Sequence, residues 1–164
     1  MGRLFVSNNA DNVSSDLDGR NVTFVRIDTS SLPGRFVSGL EVDPNNPNRA
    51  FISYSGFSAI SAGDHVYEAV YNPSTQTATF TSREYGLGGL GDFPVNDIAY
   101  DSVTGDLYAA FDLGVLRLPS GTTEWILAGD GLPIVIVPDM ELVAEKRILV
   151  IGTHGLGVWY INLP

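Results

Sequence analysis

The chain has 164 residues, of which 44% are hydrophobic and 17% charged, so it carries enough apolar material for one folded domain and does not read as disordered. A formal charge of −10 repels phosphate backbones and anionic lipid surfaces, which argues against nucleic acid or a membrane as a partner. There are no cysteines, so disulfide frameworks and thiolate zinc sites are excluded, and no apolar run approaches the roughly 20 residues that span a bilayer.

In chain order, Arg3–Ser7 is a strand candidate with no strand before it, and the start Met1-Gly2 reads as the beginning of a piece of a longer chain. It lacks the long apolar core of a signal peptide. Residues 8–20 are polar and turn-rich, and Val22–Ile27 alternates as a strand with one wet face. Strands are expected at Val37–Asp43, Arg49–Tyr54, His65–Tyr71 and Thr77–Arg83, separated by Pro-, Asn- and Gly-rich turns. The pattern restarts with Val95–Asp101, Leu107–Phe111, Val115–Leu118 and Glu124–Ala128. It begins once more at Val137–Val143 and continues through Leu149–Gly152 and Val158–Asn162. No helix is expected, because no apolar period of 3.6 residues persists without Gly, Pro or a β-branched cluster.

The three first strands start at Val37, Val95 and Val137, which are 58 and then 42 residues apart. Insertions around 55–64 and 86–91 account for the longer interval. Four strands at a period near 40 residues are the mark of a β-propeller blade, and a single blade must stack on a neighbour to bury its faces. Phe51-Ile52 and Leu149–Ile151 depart from strict alternation, as strands covered on both faces do. Small residues on the inner strands (Gly39, Ala99, Ala109, Ala110 and Gly152) suit crowding near an axis. The competing architecture is a β-sandwich. The expected fold is therefore all-β, a propeller segment of about three and a half four-stranded blades. It is one domain over 1–164, with a partial blade at 1–33, blades at 34–92 and 93–133, and an incomplete last blade at 134–164. The expected partners are the remaining blades, or a second copy meeting an exposed blade face.

Residues 37–51, 106–117 and the run Gly152–Trp159 resemble the bacterial neuraminidase-repeat, or Asp-box, propellers. That group includes sialidases, xyloglucanase-type glycoside hydrolases, sortilin-type receptor domains and a photosystem assembly factor. Ser120–Trp125 is similar to the Asp-box itself, with the Asp gone and the spacing shortened. In the family the box is a structural turn remote from the active site, so it bears on fold and not on catalysis. The resemblance implies an extracellular or periplasmic protein and a glycan or protein ligand. Its sialidase members imply an arginine trio, a Tyr/Glu pair and an Asp acid. Arg3, Arg20, Arg26, Arg35, Arg49, Arg83, Arg117 and Arg147 sit in no such motif, and Arg49 and Arg147 are placed in turns.

The catalytic candidates are Asp97 and Asp139, equivalent positions on neighbouring first strands. Two-carboxylate glycoside hydrolysis needs the pair roughly 5–10 Å apart across a cleft; the alternative role is to accept backbone N–H bonds at strand starts. The ligand-binding candidates are His154, in a Gly-flanked turn, and Tyr100. Tyr54, Phe57, Tyr71 and Tyr85 are further aromatics for sugar stacking or for packing between sheets. Asp16 and Asp18 are the metal candidates, since oxygens at alternate positions suit calcium; Val22–Val25 offers no later acidic ligand, which favours an Asx turn. No cofactor is expected. Three functions compete: a non-catalytic binding or structural module, the C-terminal half of a sialidase- or xyloglucanase-like glycoside hydrolase with catalytic residues partly in the missing half, and a protein-assembly scaffold.

Overall fold

A computed structural model describes residues 2–10, 21–57 and 64–164. Turns set by Pro, Asn and Gly divide these residues into thirteen short strands. β1 (Phe5–Val6) and β2 (Val25–Arg26) form a two-stranded sheet. A four-stranded sheet follows with β3 (Phe36–Val42), β4 (Arg49–Ser55), β5 (Val66–Asn72) and β6 (Thr77–Ser82). The next contains β7 (Val95–Asp101), β8 (Asp106–Phe111), β9 (Gly114–Leu118) and β10 (Ile126–Leu127). The last has three strands: β11 (Asp139–Val143), β12 (Ile148–Gly152) and β13 (Val158–Asn162). Every sheet is an antiparallel meander in sequence order, so the chain is all-β with four antiparallel sheets.

Three local expectations need correction. The first two strands are laddered over Phe5–Val6 and Val25–Arg26 rather than Arg3–Ser7 and Val22–Ile27, with one further bond from the Ile27 N–H to the Leu4 carbonyl at 2.9 Å. The fourth strand of the third sheet is confined to Ile126–Leu127, because Trp125 leaves the ladder to donate its indole N–H to the Arg83 carbonyl at 3.0 Å. Short 3-10 turns occur at Leu87–Leu90 and Ala144–Lys146, though among the described residues there is no α-helix.

The core lies between sheets, in three layers. Leu4, Ile52, Tyr54 and Ala69 form the first, where the β1–β2 segment meets the second sheet. Phe51, Ile98, Leu107 and Ala109 belong to the second layer, between the second and third sheets. Ala110, Val115, Met140, Leu149 and Ile151 belong to the last. β8 sits between two layers and all six of its residues are buried, including Ala109 and Ala110 at 0% exposure. A strand covered on both faces has no wet side on which alternation would show.

A repeated device ties the innermost strands together. The ladder slips by one residue between Val37 and Gly39 in β3, and again between Val95 and Asp97 in β7. Such a bulge redirects the extra residue. Ser38 Oγ donates to the Val95 carbonyl at 2.6 Å, and Asn96 Nδ2 donates to the Val137 carbonyl at 3.2 Å. Each bulge residue thus bonds the backbone at the start of the next inner strand. Pro138 occupies the corresponding position of the last unit.

Candidate functional site

Strand direction alternates along a meander, which sorts the turns by end. The Ser38–Val95, Asn96–Val137 and Asn45–Ser102 bonds show that β3, β7 and the start of the last unit run the same way. One end of the stack therefore carries the second-to-third turns and the connections between sheets. The other carries the first-to-second and third-to-fourth turns.

Along the innermost strands, Glu41, Asp97, Asp139 and Glu141 line a recess of about 220 Å³. Asp97 is firmly anchored. Its Oδ1 accepts the Ile98 N–H at 2.9 Å, and its Oδ2 accepts the Met140 N–H at 3.0 Å across the sheet boundary. Gly39 makes room for it: a Cβ there would stand 2.7 Å from Asp97 Oδ1 and 2.7 Å from Ser53 Oγ. Burial pushes the Asp97 carboxyl up, its two backbone N–H bonds pull it down, and the charges of Asp139 and Glu141 raise it further. The Glu41 carboxyl is raised by burial and then by Glu141 and Asp97. Asp139 is exposed. Asp97 and Asp139 thus line one recess, but Asp97 has both oxygens engaged by main-chain donors.

His154 and Tyr100 stand at opposite ends of the stack. His154, exposed in the β12–β13 turn, uses its backbone N–H to bond the Ile136 carbonyl at 2.9 Å. Tyr100 lies near the β7–β8 turn, buried, with its hydroxyl accepting Arg49 Nη2 at 2.6 Å. Its ring packs on Phe51 with centroids 4.6 Å apart, under the Arg49 guanidinium. Arg49 opens β4 rather than lying in a turn and pairs with Asp43 at 2.6 Å. Arg147 does end a turn, at φ 51, and pairs with Asp101 at 2.6 Å. Asp16 and Asp18 lie outside the described residues; among those described, no group of three or more His, Asp or Glu is placed to hold a metal ion.

Two features escaped the sequence. Arg35, His65 and Asp92 form a cluster at the connection end of the second sheet. Arg35 Nη2 meets Asp92 Oδ1 at 2.6 Å, and His65 Nε2 lies 3.0 Å from the same oxygen. His65 Nδ1 is 2.7 Å from the Tyr54 carbonyl, which can only accept, so Nδ1 bears the proton. The three residues span 57 positions without a motif. The second feature is an apolar cavity of about 530 Å³ beside the 84–93 connection, with Tyr85, Phe93, Phe111 and Trp125 in its lining. Asp92, Tyr85 and Phe93 all lie in or just beside the 86–91 insertion, the available sequence signal for both features.

The solved structures this chain is similar to include the β-propeller domain of Cps50 (Swd1) from Myceliophteria thermophila. That match has a TM-score of 0.60 at 13% identity and covers 86% of this chain and 45% of the other. A luciferin-regenerating enzyme matches with a TM-score of 0.60 at 14% identity, over 85% of this chain and 48% of that one. The major Malassezia sympodialis allergen Mala s 1 matches with a TM-score of 0.55 at 13% identity, over 85% and 50%. The chain spans half or less of the length of these three proteins. At such identities the likeness concerns the fold, which is of the β-propeller kind. No family model matches the chain, and no curated protein matches it.

Proposed function

We propose that the chain is a non-catalytic portion of a larger Asp-box-type β-propeller, about three and a half blades long, and serves a secreted protein as a structural and binding module. The observation that carries the reading is the commitment of Asp97. A carboxylate that bridges the Ile98 and Met140 N–H groups joins successive inner strands, as a structural link does. The family assignment draws support from the Ser120–Trp125 turn, which falls between β9 and β10 where the resemblance requires it. The carboxylate that holds this turn is Asp106, whose Oδ1 accepts the Ser120 N–H at 2.7 Å. The remaining blades, or a second copy, are proposed to cover the last sheet, where Val158 and Tyr160 are exposed.

A second reading has its own support. The raised carboxyls of Asp97 and Glu41 share a recess with Asp139, an arrangement open to acid–base work on a glycoside if further groups come from the rest of a ring. Glycoside hydrolysis assayed on the full-length protein separates the two. Under the proposed function, Asp97→Asn and Asp139→Asn leave any hydrolysis unchanged, while Asp97→Asn lowers stability. Loss of hydrolysis in folded Asp139→Asn protein overturns the proposal in favour of the enzyme. A glycan array without binding favours the protein-assembly scaffold.

A further inference from the structure

We propose that the aromatic cavity beside the 84–93 connection binds a hydrophobic organic cation: a compact ring system bearing an amine or quaternary ammonium. At about 530 Å³ it is the size of a small-molecule site. Its floor is part of the folded core, since Leu87, Phe111 and Val115 are buried. Its rim is apolar in a way the fold does not require: Leu127 is 77% exposed and Ile134 is 83% exposed. Large apolar side chains gathered around a concavity mark a binding surface.

The charge of the lining selects the ligand. Glu84 and Glu124 line the cavity, and among the described residues no lysine, arginine or histidine does. An anion would meet two carboxylates, and the nearest guanidinium, Arg83 on the Tyr85 ring, is already held by Glu68. A neutral sugar would press its hydroxyl groups against Leu87, Phe111, Val115 and Leu127, leaving many of them without hydrogen-bond partners. A cation with an apolar body matches both halves of the lining. The rings of Phe93 and Trp125 attract positive charge, Tyr85 already carrying the Arg83 guanidinium 5.8 Å from its centroid, and the carboxylates complete the match.

The walls are held before any ligand arrives. Trp125 is fixed by its 3.0 Å bond to the Arg83 carbonyl. The Tyr85 hydroxyl accepts Arg83 Nη1 at 2.5 Å, and its backbone sits in the left-handed region at φ 37. Glu84 Oε2 accepts the His65 N–H at 2.8 Å. A preformed site loses less freedom on binding. This inference is independent of the proposed function, because it uses neither Asp97 nor any other part of a ring.

The test is a titration of the full-length protein with benzyltrimethylammonium chloride at constant ionic strength, followed by calorimetry and tryptophan fluorescence. Benzyl alcohol, phenylacetate and methyl glucoside are the neutral, anionic and sugar comparators. The cation should bind about tenfold more tightly than benzyl alcohol, the scale of a well-desolvated cation–π contact. Phenylacetate and methyl glucoside should bind more weakly than either. Ile134→Arg, placed on an exposed rim position so that folding is retained, should weaken the cation by at least about tenfold. Glu124→Gln should weaken the cation several-fold and leave benzyl alcohol unchanged. The proposal is overturned if nothing binds, if any comparator binds as tightly as the cation, or if neither substitution alters cation affinity in folded protein.

Discussion

Replacing Asp101 by Asn probes a bidentate charge contact between sheets. Asp101 ends β7 and is 1% exposed. Arg147, from the next sheet, grips it with two bonds, Nη1 to Oδ1 at 2.7 Å and Nη2 to Oδ2 at 2.6 Å. The Val103 N–H and the Thr104 hydroxyl also donate to it, at 3.0 and 2.9 Å. Burial pushes this carboxyl up, but the Arg147 pair and the two local donors outweigh burial and bring it from 3.8 down to about 2. A shift of that size corresponds to about 2 kcal/mol of stability. The folded value lies below the unfolded one, so this contribution is complete above the unfolded value of 3.8 and is lost as pH falls through about 2. Asn keeps the shape and removes the charge. Urea unfolding followed by tryptophan fluorescence should show Asp101→Asn less stable than wild type by about 2 kcal/mol at neutral pH. The gap should close as pH falls from about 4 towards 2. A gap of constant size across that range would refute the electrostatic account of this contact, and no gap at all would refute its contribution to stability.

Gly39→Ala should destabilise the protein by about 1–3 kcal/mol, as forced overpacking does, because the new Cβ would stand 2.7 Å from both Asp97 Oδ1 and Ser53 Oγ. In an Asp97→Ala background part of that penalty should vanish, and a double-mutant cycle by urea unfolding reads the coupling. His65→Leu removes the 2.7 Å bond to the Tyr54 carbonyl inside the second sheet and should lower stability by about 1–3 kcal/mol. Thermal unfolding measures that loss.

Fold class was legible because it rests on local physics repeated along the chain. The Asp43-Pro44 and Asp101–Gly105 turns are written in residue types that stop strands: Asp43 Oδ1 accepts the Asn45 N–H and Asp101 Oδ1 the Val103 N–H, the same side-chain cap in two units. The spacing of Val37, Val95 and Val137 aligns the inner strands from the sequence alone. What escaped was tertiary. Ser38 and Asn96 read as ordinary polar strand residues, and only the bulges beside them turn their side chains towards Val95 and Val137. Trp125 resembled part of a strand, yet its N–H seeks a carbonyl 42 residues back. Tyr100 had the residue type of a ligand platform, and its packing under the Arg49 guanidinium and on the Phe51 ring has no signature in the sequence. The cluster of Arg35, His65 and Asp92 had no signature because its members come from three separate connections. The 86–91 insertion marked where the chain departs from its own repeat, and Tyr85 and Phe93 flank that departure in the cavity lining.

Amide hydrogen exchange at Met140 tests whether the Asp97 carboxylate links successive inner strands. In the wild-type protein the Met140 N–H donates to Asp97 Oδ2 and should be protected. In Asp97→Ala, exchange at Met140 and Ile98 should quicken by about tenfold or more while distant ladder amides keep their rates, the pattern of a local opening. Equal exchange at Met140 in both proteins would contradict a structural role for the carboxylate at this strand.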